Sequence, residues 1–295
     1  MIENFINIET KDGLIDTFEV KPDEGGPFPA IIIYMDAPAI REELRDMARR
    51  LASMGYYVLL PNLFYRVGKE GSYPFTFAKI REDKSHFSAM IKTMDDTTNE
   101  LVVSDTKYIL DYLDNNEELN HDGYGAIGYC MSGQYIVSVS STYSKKFVAA
   151  ASFYGVKILT DKENSPHLRA NKIEADLYLA FAEKDTWVDE DALKNKLPNL
   201  NFKLIRSNFK YIKNFLKLEG ITKIDGLIAD LGISSHQIDI PQRGFAYKFD
   251  SPLDMRMNTD SSLTAINVVN EYTEKELSDI FFYYGDFKDS KKIAK

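Results

Sequence analysis

The chain has 295 residues, 44% of them hydrophobic and 27% charged, with 36 Lys+Arg against 45 Asp+Glu and a formal net charge of −9. This composition belongs to a globular protein long enough for about two domains or one large α/β unit. It excludes a disordered or collagen-like chain and a basic surface for non-specific nucleic-acid binding. A single cysteine, Cys130, excludes a disulfide framework and a multi-cysteine metal centre and points to a reducing cytosol. No metal site is expected.

The charge is unevenly distributed. Residues 1–188 hold 20 Lys+Arg and 29 Asp+Glu, whereas residues 189–295 hold 16 of each. The segment Met1–Thr10 has no basic stretch leading into an apolar one, and no apolar run approaches the roughly 18 residues of a spanning helix. A cytoplasmic protein with no membrane segment is therefore expected.

In chain order, Phe5–Glu9 and Ile15–Val20 read as strands of a hairpin turning at Lys11-Asp12-Gly13. Pro29–Met35 is a continuous apolar strand of the kind buried on both faces of a parallel sheet. Residues 41–54 read as a helix with Leu44, Met47, Leu51 and Met54 on its inner face, stopped by Gly55. Its Arg41, Arg45, Arg49 and Arg50, interleaved with Glu42, Glu43 and Asp46, read as a solvated charged face. Tyr56–Leu60 is the next strand, followed by a polar stretch of about thirty residues. Residues 101–113 form a helix with Val102, Ile109 and Leu113 inward, and Tyr124–Tyr129, Phe147–Tyr154 and Leu177–Ala182 are strands. Strands spaced by helices predict βαβ crossovers and a mostly parallel α/β sheet covered on both faces.

Beyond residue 189, Phe209, Ile212 and Leu216 mark a helix ended by Gly220, and Ile224–Asp230 a strand. Leu231–Asp260 reads as a long loop without clear periodicity, functional or disordered. Thr273 with Glu276 forms a capping box for a last helix carrying Leu277, Ile280, Phe281 and Tyr284. The lysines at 288, 291, 292 and 295 read as a frayed terminus.

The sharpest chemical signal is Gly128-Tyr129-Cys130-Met131-Ser132-Gly133, after an apolar strand and before a helix-compatible stretch. Small residues at 128 and 132 permit the tight strand-to-helix turn of a nucleophile elbow, with sulfur in place of a serine hydroxyl. A helix N-terminus beside the sulfur favours the thiolate, and the Met131 amide becomes an oxyanion donor. A lone cysteine is otherwise read as a small buried apolar residue; the strand–turn–helix context favours the nucleophile.

The elbow, with Tyr34-Met35-Asp36-Ala37-Pro38, the run Gly55–Leu63, Phe153-Tyr154-Gly155 and Ala182–Val188, resembles the dienelactone hydrolase family of α/β-hydrolases over residues 1–188. The resemblance implies hydrolysis of a carboxylic ester or lactone, a small-molecule substrate and no cofactor. It implies Cys130 as nucleophile, Asp185 as triad aspartate and Asp36 as the acidic residue near the nucleophile. The segment after Tyr34-Met35 would supply a second oxyanion amide. Asp36 would disfavour the thiolate by like-charge repulsion. The family's triad histidine follows its aspartate; His86, His121 and His167 all precede Asp185, leaving His236 as the later histidine. Arg66 and Arg81 are candidates to hold a substrate carboxylate.

Residues 189–295 resemble a different family. Asp189-Glu190-Asp191-Ala192, Phe202–Phe209, Asp225–Asp239, Arg243-Gly244-Phe245 and Pro252–Asn258 are similar, in order, to the S-adenosylmethionine-dependent methyltransferases of a cytosine N4 in small-subunit ribosomal RNA. The resemblance implies S-adenosylmethionine as cofactor, ribosomal RNA as partner, and cofactor contacts at Phe209, Asp230 and Gln237. Without that motif, Phe209 reads as a core aromatic and Asp230 as a loop-entry aspartate. The family's glycine-rich cofactor loop has no counterpart, and Trp187 occupies the place of its ribose-binding acid. The expected architecture is a truncated α/β-hydrolase-like sheet at 1–188. Part of a Rossmann-like methyltransferase sheet and the start of a helical insertion follow at 189–295, in a fused chain of two incomplete enzymes.

Overall fold

A computed structural model describes residues 1–180, 211–224, 233, 235–259, 261–285 and 287–295. The chain divides into two compact units, Met1–Lys213 and Asn214–Lys295.

The first unit is built on a seven-stranded sheet in the order β1-β2-β4-β3-β5-β6-β7. The strands are β1 (Ile2–Thr10), β2 (Gly13–Lys21), β3 (Ala30–Tyr34), β4 (Tyr57–Pro61), β5 (Tyr124–Tyr129), β6 (Phe147–Phe153) and β7 (Asp176–Ala180). The hairpin β1–β2 is in register from Ile2↔Lys21 to Thr10↔Gly13, and β2 runs antiparallel to β4. All later pairings are parallel. Every residue of β3 and β4 is buried, as their continuous apolar runs require of strands covered on both faces. The order reverses at β3: β4 lies on one side of it and β5 on the other. In an open α/β sheet such a reversal opens a crevice at the carboxyl ends of the strands, where ligands bind.

Four helices complete this unit among its described residues: α1 (Glu42–Ser53), α2 (Lys84–Asp96), α3 (Asn99–Asp114) and α4 (Gly133–Thr142). Helix α3 buries Val102, Ile109 and Leu113, as its spacing predicts. Helix α1 departs from expectation, because its inner face carries Leu44, Ala48 and Ala52, while Met47 and Met54 are exposed. The small alanines let the helix axis approach the sheet closely, so the row that packs is not the row of largest side chains. Helix α2, capped by the Asp83 carboxylate on the Ser85 amide, lies within the stretch read as merely polar. Its buried apolar side chains are Met90 and Met94, while Phe87 is exposed.

The arginines of α1 also depart from a solvated face. Arg45 and Arg49 reach Glu42, Glu70, Glu3 and Asp46, and both guanidinium groups lie over the Phe18 ring. Their stems thus cover the outer strands while their charges are paired.

In the second unit, the described residues are helical or irregular. They comprise α5 (Ile212–Leu218), which begins just before the unit boundary, α6 (Ser235–Asp239), α7 (Ala265–Glu271), α8 (Glu274–Gly285) and α9 (Ser290–Ile293). Helix α5 ends before Gly220, whose φ of +73° suits glycine. The strand expected to Asp230 lies outside the described residues from 225 onward. The span read as a featureless loop holds α6, a 3₁₀ turn at Pro241–Arg243 and a dense local network instead. Arg256 forks onto Asp254 (2.6 and 3.0 Å) and donates to the carbonyls of Thr259 and Ser261. Arg243 donates to the Arg256 carbonyl, and the Met255 amide to the Arg243 carbonyl at 3.0 Å. A Cβ on Gly244 would lie 2.5 Å from the Pro252 carbonyl oxygen, so this crossing admits only glycine.

The Thr273–Glu276 capping box forms at α8 as its sequence predicts. The residues read as a frayed end instead fold back on α8, through Ser278–Ser290 hydroxyls 3.1 Å apart and an edge-on Phe281–Phe287 pair. No helix among the described residues is long and apolar enough to cross a membrane.

Candidate active site

Cys130 follows the last residue of β5 and opens a 3₁₀ turn, Cys130–Ser132, that runs into α4. Its φ of +49° lies in the left-handed region, a strained backbone for a residue with a side chain. The surrounding structure imposes this conformation. The Val156 amide donates to the Cys130 carbonyl at 2.9 Å, and the Ser132 hydroxyl donates to the Met35 carbonyl, tying the elbow to the loops after β6 and β3.

Three glycines make room. A Cβ on Gly128 would sit 2.6 Å from Ile136 Cγ1 and 2.9 Å from the Ser132 carbonyl. Gly133 and Gly155 meet backbone to backbone: a Cβ on the first would lie 2.2 Å from the Cα of the second. The sequence reading singled out 128 and 132; the need at 133 and 155 arises from contact between loops 22 residues apart and has no local signal. Tyr154, at φ +51°, begins the same loop. Tyr129 stacks on Phe153 at 5.4 Å, and Phe153 contacts Tyr178 at 5.7 Å, so an aromatic row crosses β5, β6 and β7.

Of the expected residues, Cys130 and Met131 follow β5 and Asp36 follows the neighbouring β3, at the carboxyl ends of two strands where the strand order reverses. Met131 is fully buried, with its amide at the start of the 3₁₀ turn, outside the intrahelical ladder of α4. Asp185 lies outside the described residues. His236 falls in α6, in the other unit. The remaining histidines have local partners. His86 accepts from the Thr76 amide at 3.2 Å, His121 is 3.2 Å from the Tyr124 hydroxyl at the opposite end of β5, and His167 is 2.7 Å from the Ser165 hydroxyl.

The charge beside the nucleophile differs from expectation. Asp36 does not stand as a lone carboxylate: Arg41 grips it with two parallel hydrogen bonds of 2.5 and 2.8 Å. Arg41 is therefore paired with Asp36 and not part of a solvated helix face. The Phe77 ring lies 5.0 Å from its Cζ, brought there by the long loop after β4, which Asn62 organises. The Asn62 side chain donates to Asp16 and the Gly68 carbonyl and accepts from the Phe64 amide and the Tyr73 hydroxyl. Burial works against the Arg41 charge, but the hydrogen bonds it donates to Asp36 and the charges of Asp36, Glu43 and Cys130 outweigh it and hold its pKa above the ordinary arginine value.

Arg66 is not available to a substrate. It is committed to Asp105 (2.7 and 2.8 Å) and Asp12 (2.7 Å), clasping the β1–β2 turn to α3. Arg81 is exposed.

A dienelactone hydrolase family model matches residues 15–211, two-thirds of the chain. The chain belongs to the dienelactone hydrolase family. A second model, the MraW methylase family, matches residues 167–295, so residues 167–211 fall within both. Among solved structures, the chain is similar to one titled a putative dienelactone hydrolase from Klebsiella pneumoniae, with a TM-score of 0.56 and 19% identity, covering 67% of this chain and 78% of that one. It is also similar to a dienelactone hydrolase-like promiscuous phosphotriesterase from metagenomic libraries, with a TM-score of 0.51 and 18% identity over 68% and 77% of the two chains. These likenesses establish the α/β-hydrolase fold.

The remainder is similar to ribosomal RNA small subunit methyltransferase H. The Flavobacterium psychrophilum protein is 54% identical over 107 residues, 36% of this chain and 37% of its own length. That of Bacteroides fragilis is 49% identical over 106 residues, covering 36% and 35%. The chain thus spans just over a third of the length of the curated methyltransferases it matches. The match implies S-adenosylmethionine, but Phe209 and Asp230 lie outside the described residues. Gln237 lies on the five-residue helix α6.

Proposed function

We propose that the chain is a thiol-dependent hydrolase of carboxylic esters or lactones, joined near residues 188–189 to a partial RNA methyltransferase module at 189–295. The observation that carries the hydrolase reading is the left-handed backbone of Cys130 at the mouth of the sheet crevice, held there by hydrogen bonds from two neighbouring loops. The Cys130 thiolate attacks the ester carbonyl, and the oxyanion is received by the Met131 amide and an amide of the segment after β3. The C–O bond breaks, the alcohol leaves with a proton from solvent, and water then cleaves the thioester. Asp185 takes the part of the triad aspartate. A nucleophile without a positioned imidazole lacks a proton shuttle, so turnover is expected to be slow and limited to activated esters.

The test is hydrolysis of p-nitrophenyl acetate by the purified chain and its Cys130→Ala variant. Loss of turnover and of the thioester intermediate in the variant supports the reading, and equal turnover refutes it. The substrate is a small molecule in the cytoplasm, and the hydrolase step needs no cofactor.

A second reading rests on the 54% identity to a methyltransferase: that residues 189–295 engage S-adenosylmethionine through Phe209, Asp230 and Gln237 and act on ribosomal RNA. Calorimetric titration of the full chain with S-adenosylmethionine tests it, and no heat of binding at millimolar cofactor rejects it. Long-read sequencing across the codons for 180–200 tests the joined chain itself; an uninterrupted hydrolase frame with a later histidine would sink the fusion.

A further inference from the structure

Among the described residues, β1 forms one edge of the sheet and pairs with β2 alone. A strand at an edge presents a row of unpaired backbone donors and acceptors, which proteins blunt with proline, lysine, a bulge or a short strand. β1 uses none of these devices. It runs for nine residues, Ile2-Glu3-Asn4-Phe5-Ile6-Asn7-Ile8-Glu9-Thr10, in unbroken register with β2. It also holds the apolar ring of Phe5 74% exposed.

The two faces beside this edge differ. Phe18 and Glu19 are consecutive in β2 and so point to opposite faces. Phe18 lies under the Arg45 and Arg49 guanidinium groups of α1, whereas Glu19 accepts from the Tyr112 hydroxyl of α3 at 2.9 Å. Phe5 shares the α1 face, with its ring centre 5.5 Å from that of Phe18 and 5.7 Å from Arg45 Cζ. On the α3 side, residues 7–9 of the edge strand form one wall of a groove of about 530 Å³. Tyr108, Asp111 and Tyr112 of α3, with Glu117 just after it, stand in the other wall.

The charge of the groove is negative. Asp111 is shared with Lys107 at 3.3 Å, while the exposed carboxylates of Glu9 and Glu117 are unpaired among the described residues. Residues 1–188 around it carry 29 Asp+Glu against 20 Lys+Arg. A strand added to β1 alternates its side chains between the two faces, one set over Phe5 and the other beside the acidic groove. A second copy of this chain does not supply a complementary set. β1 contains no Lys or Arg, and its pairing with itself would bring together two surfaces of the same sign.

We propose that the β1 edge docks an extended basic segment of another protein, in which lysine or arginine alternates with apolar residues, as an additional strand of the sheet. Main-chain hydrogen bonds attach the segment, Glu9 and Glu117 select its basic side chains, and the Phe5 ring receives its apolar ones. Three strands separate β1 from β5 in the sheet, so this surface does not depend on the chemistry of Cys130.

The probe is a fluorescein-labelled peptide, Lys-Val-Lys-Val-Lys-Val-Lys, titrated with the full chain and followed by fluorescence anisotropy. The counterpart with glutamate in place of lysine is expected to bind at least about tenfold more weakly. N-methylation at alternate residues removes the backbone donors from one edge of an extended peptide. At least one of the two alternating patterns should weaken binding about tenfold or more, because a strand pairs through one edge only. Glu9→Lys and Glu117→Lys should each weaken binding about fivefold, and Glu163→Lys, the same change of charge on an exposed loop outside the groove, less than about twofold.

No binding at millimolar peptide overturns the proposal, as does equal binding of the glutamate peptide. Binding unaffected by either N-methylation pattern, or weakened as far by Glu163→Lys as by the groove variants, reduces the effect to attraction by net charge and overturns it too. A dimer in sedimentation velocity that Phe5→Lys abolishes assigns the edge to a second copy and has the same consequence. The peptide comparisons use the parental chain, so they decide the matter even where a variant fails to fold.

Discussion

Replacing Gly133 by alanine puts a methyl group where the backbone of the loop after β6 already lies. The new Cβ would be 2.2 Å from Gly155 Cα, 2.8 Å from Ser152 Oγ and 2.9 Å from the Gly155 carbonyl carbon. Two of these three atoms are backbone and cannot rotate away. Reaching an ordinary contact of about 3.4 Å requires the loop to withdraw by roughly 1.2 Å. That movement stretches the 2.9 Å hydrogen bond from the Val156 amide to the Cys130 carbonyl, one of the ties that hold the elbow in its left-handed conformation. Overpacking of this type costs about 1–3 kcal/mol, and the lost backbone hydrogen bond adds about 1 kcal/mol. Gly133→Ala should therefore lower the stability of the hydrolase unit by about 3 kcal/mol and slow alkylation of Cys130.

Urea denaturation followed by far-ultraviolet circular dichroism measures the first effect, and iodoacetamide kinetics the second. Gly55→Ala is the matched control. Its Cβ meets nothing within 4 Å, so only the left-handed strain at φ +101° operates, about 1–2 kcal/mol, with no effect on Cys130. A Gly133→Ala protein as stable and as reactive as the parent would refute the claim that the Gly133–Gly155 approach shapes the elbow.

Three further perturbations separate other parts of the structure. Asp105→Ala removes the buried acceptor of the Arg66 fork and of the Tyr65 hydroxyl, and should cost about 3 kcal/mol in urea denaturation, whereas Lys107→Ala on the exposed side of the same helix should be near neutral. Ala48→Leu on the inner face of α1 should cost about 1–3 kcal/mol by overpacking, while Met47→Gln should change stability by less than about 0.5 kcal/mol; the reverse order would restore the methionine face.

Hydrogen bonds from the Arg256 side chain and backbone hold the Asp254 carboxyl down to about 2. A depressed carboxyl pKa contributes order above its unfolded value, near 4, and loses it as pH falls towards 2. Amide exchange in residues 241–266 should therefore accelerate across that window. Arg256→Gln should raise the Asp254 titration, followed by carboxyl NMR, towards 4; a titration that stays near 2 would contradict the assignment.

Much of the fold was legible because the signals are local. The continuous apolar runs at β3 and β4 can only be strands buried on both faces, and Thr273 with Glu276 closes a capping box wherever its helix packs. The elbow was legible for the same reason: glycine two residues before the cysteine and a small residue two after it serve a turn made within six residues of chain. The inner face of α1 was misread because size was taken as the mark of burial, when the close approach of helix to sheet selects Ala48 and Ala52. Helix α2 was missed because its apolar residues do not fall on one face, Met90 and Met94 being buried while Phe87 is exposed.

The amino-acid sequence by itself determined the α/β-hydrolase plan, the cysteine at its elbow and the passage from one family's motifs to another's, since each is carried by contiguous residues and their spacing. The tertiary structure alone decided the role of the arginines. The segments that carry Asp36 and Cys130 are neighbours only because β3 and β5 are adjacent in the sheet, Arg41 turns onto Asp36 instead of solvent, and Arg66 spends its charge on Asp105 and Asp12. Such pairings depend on strand order and on burial, which join residues distant in the chain.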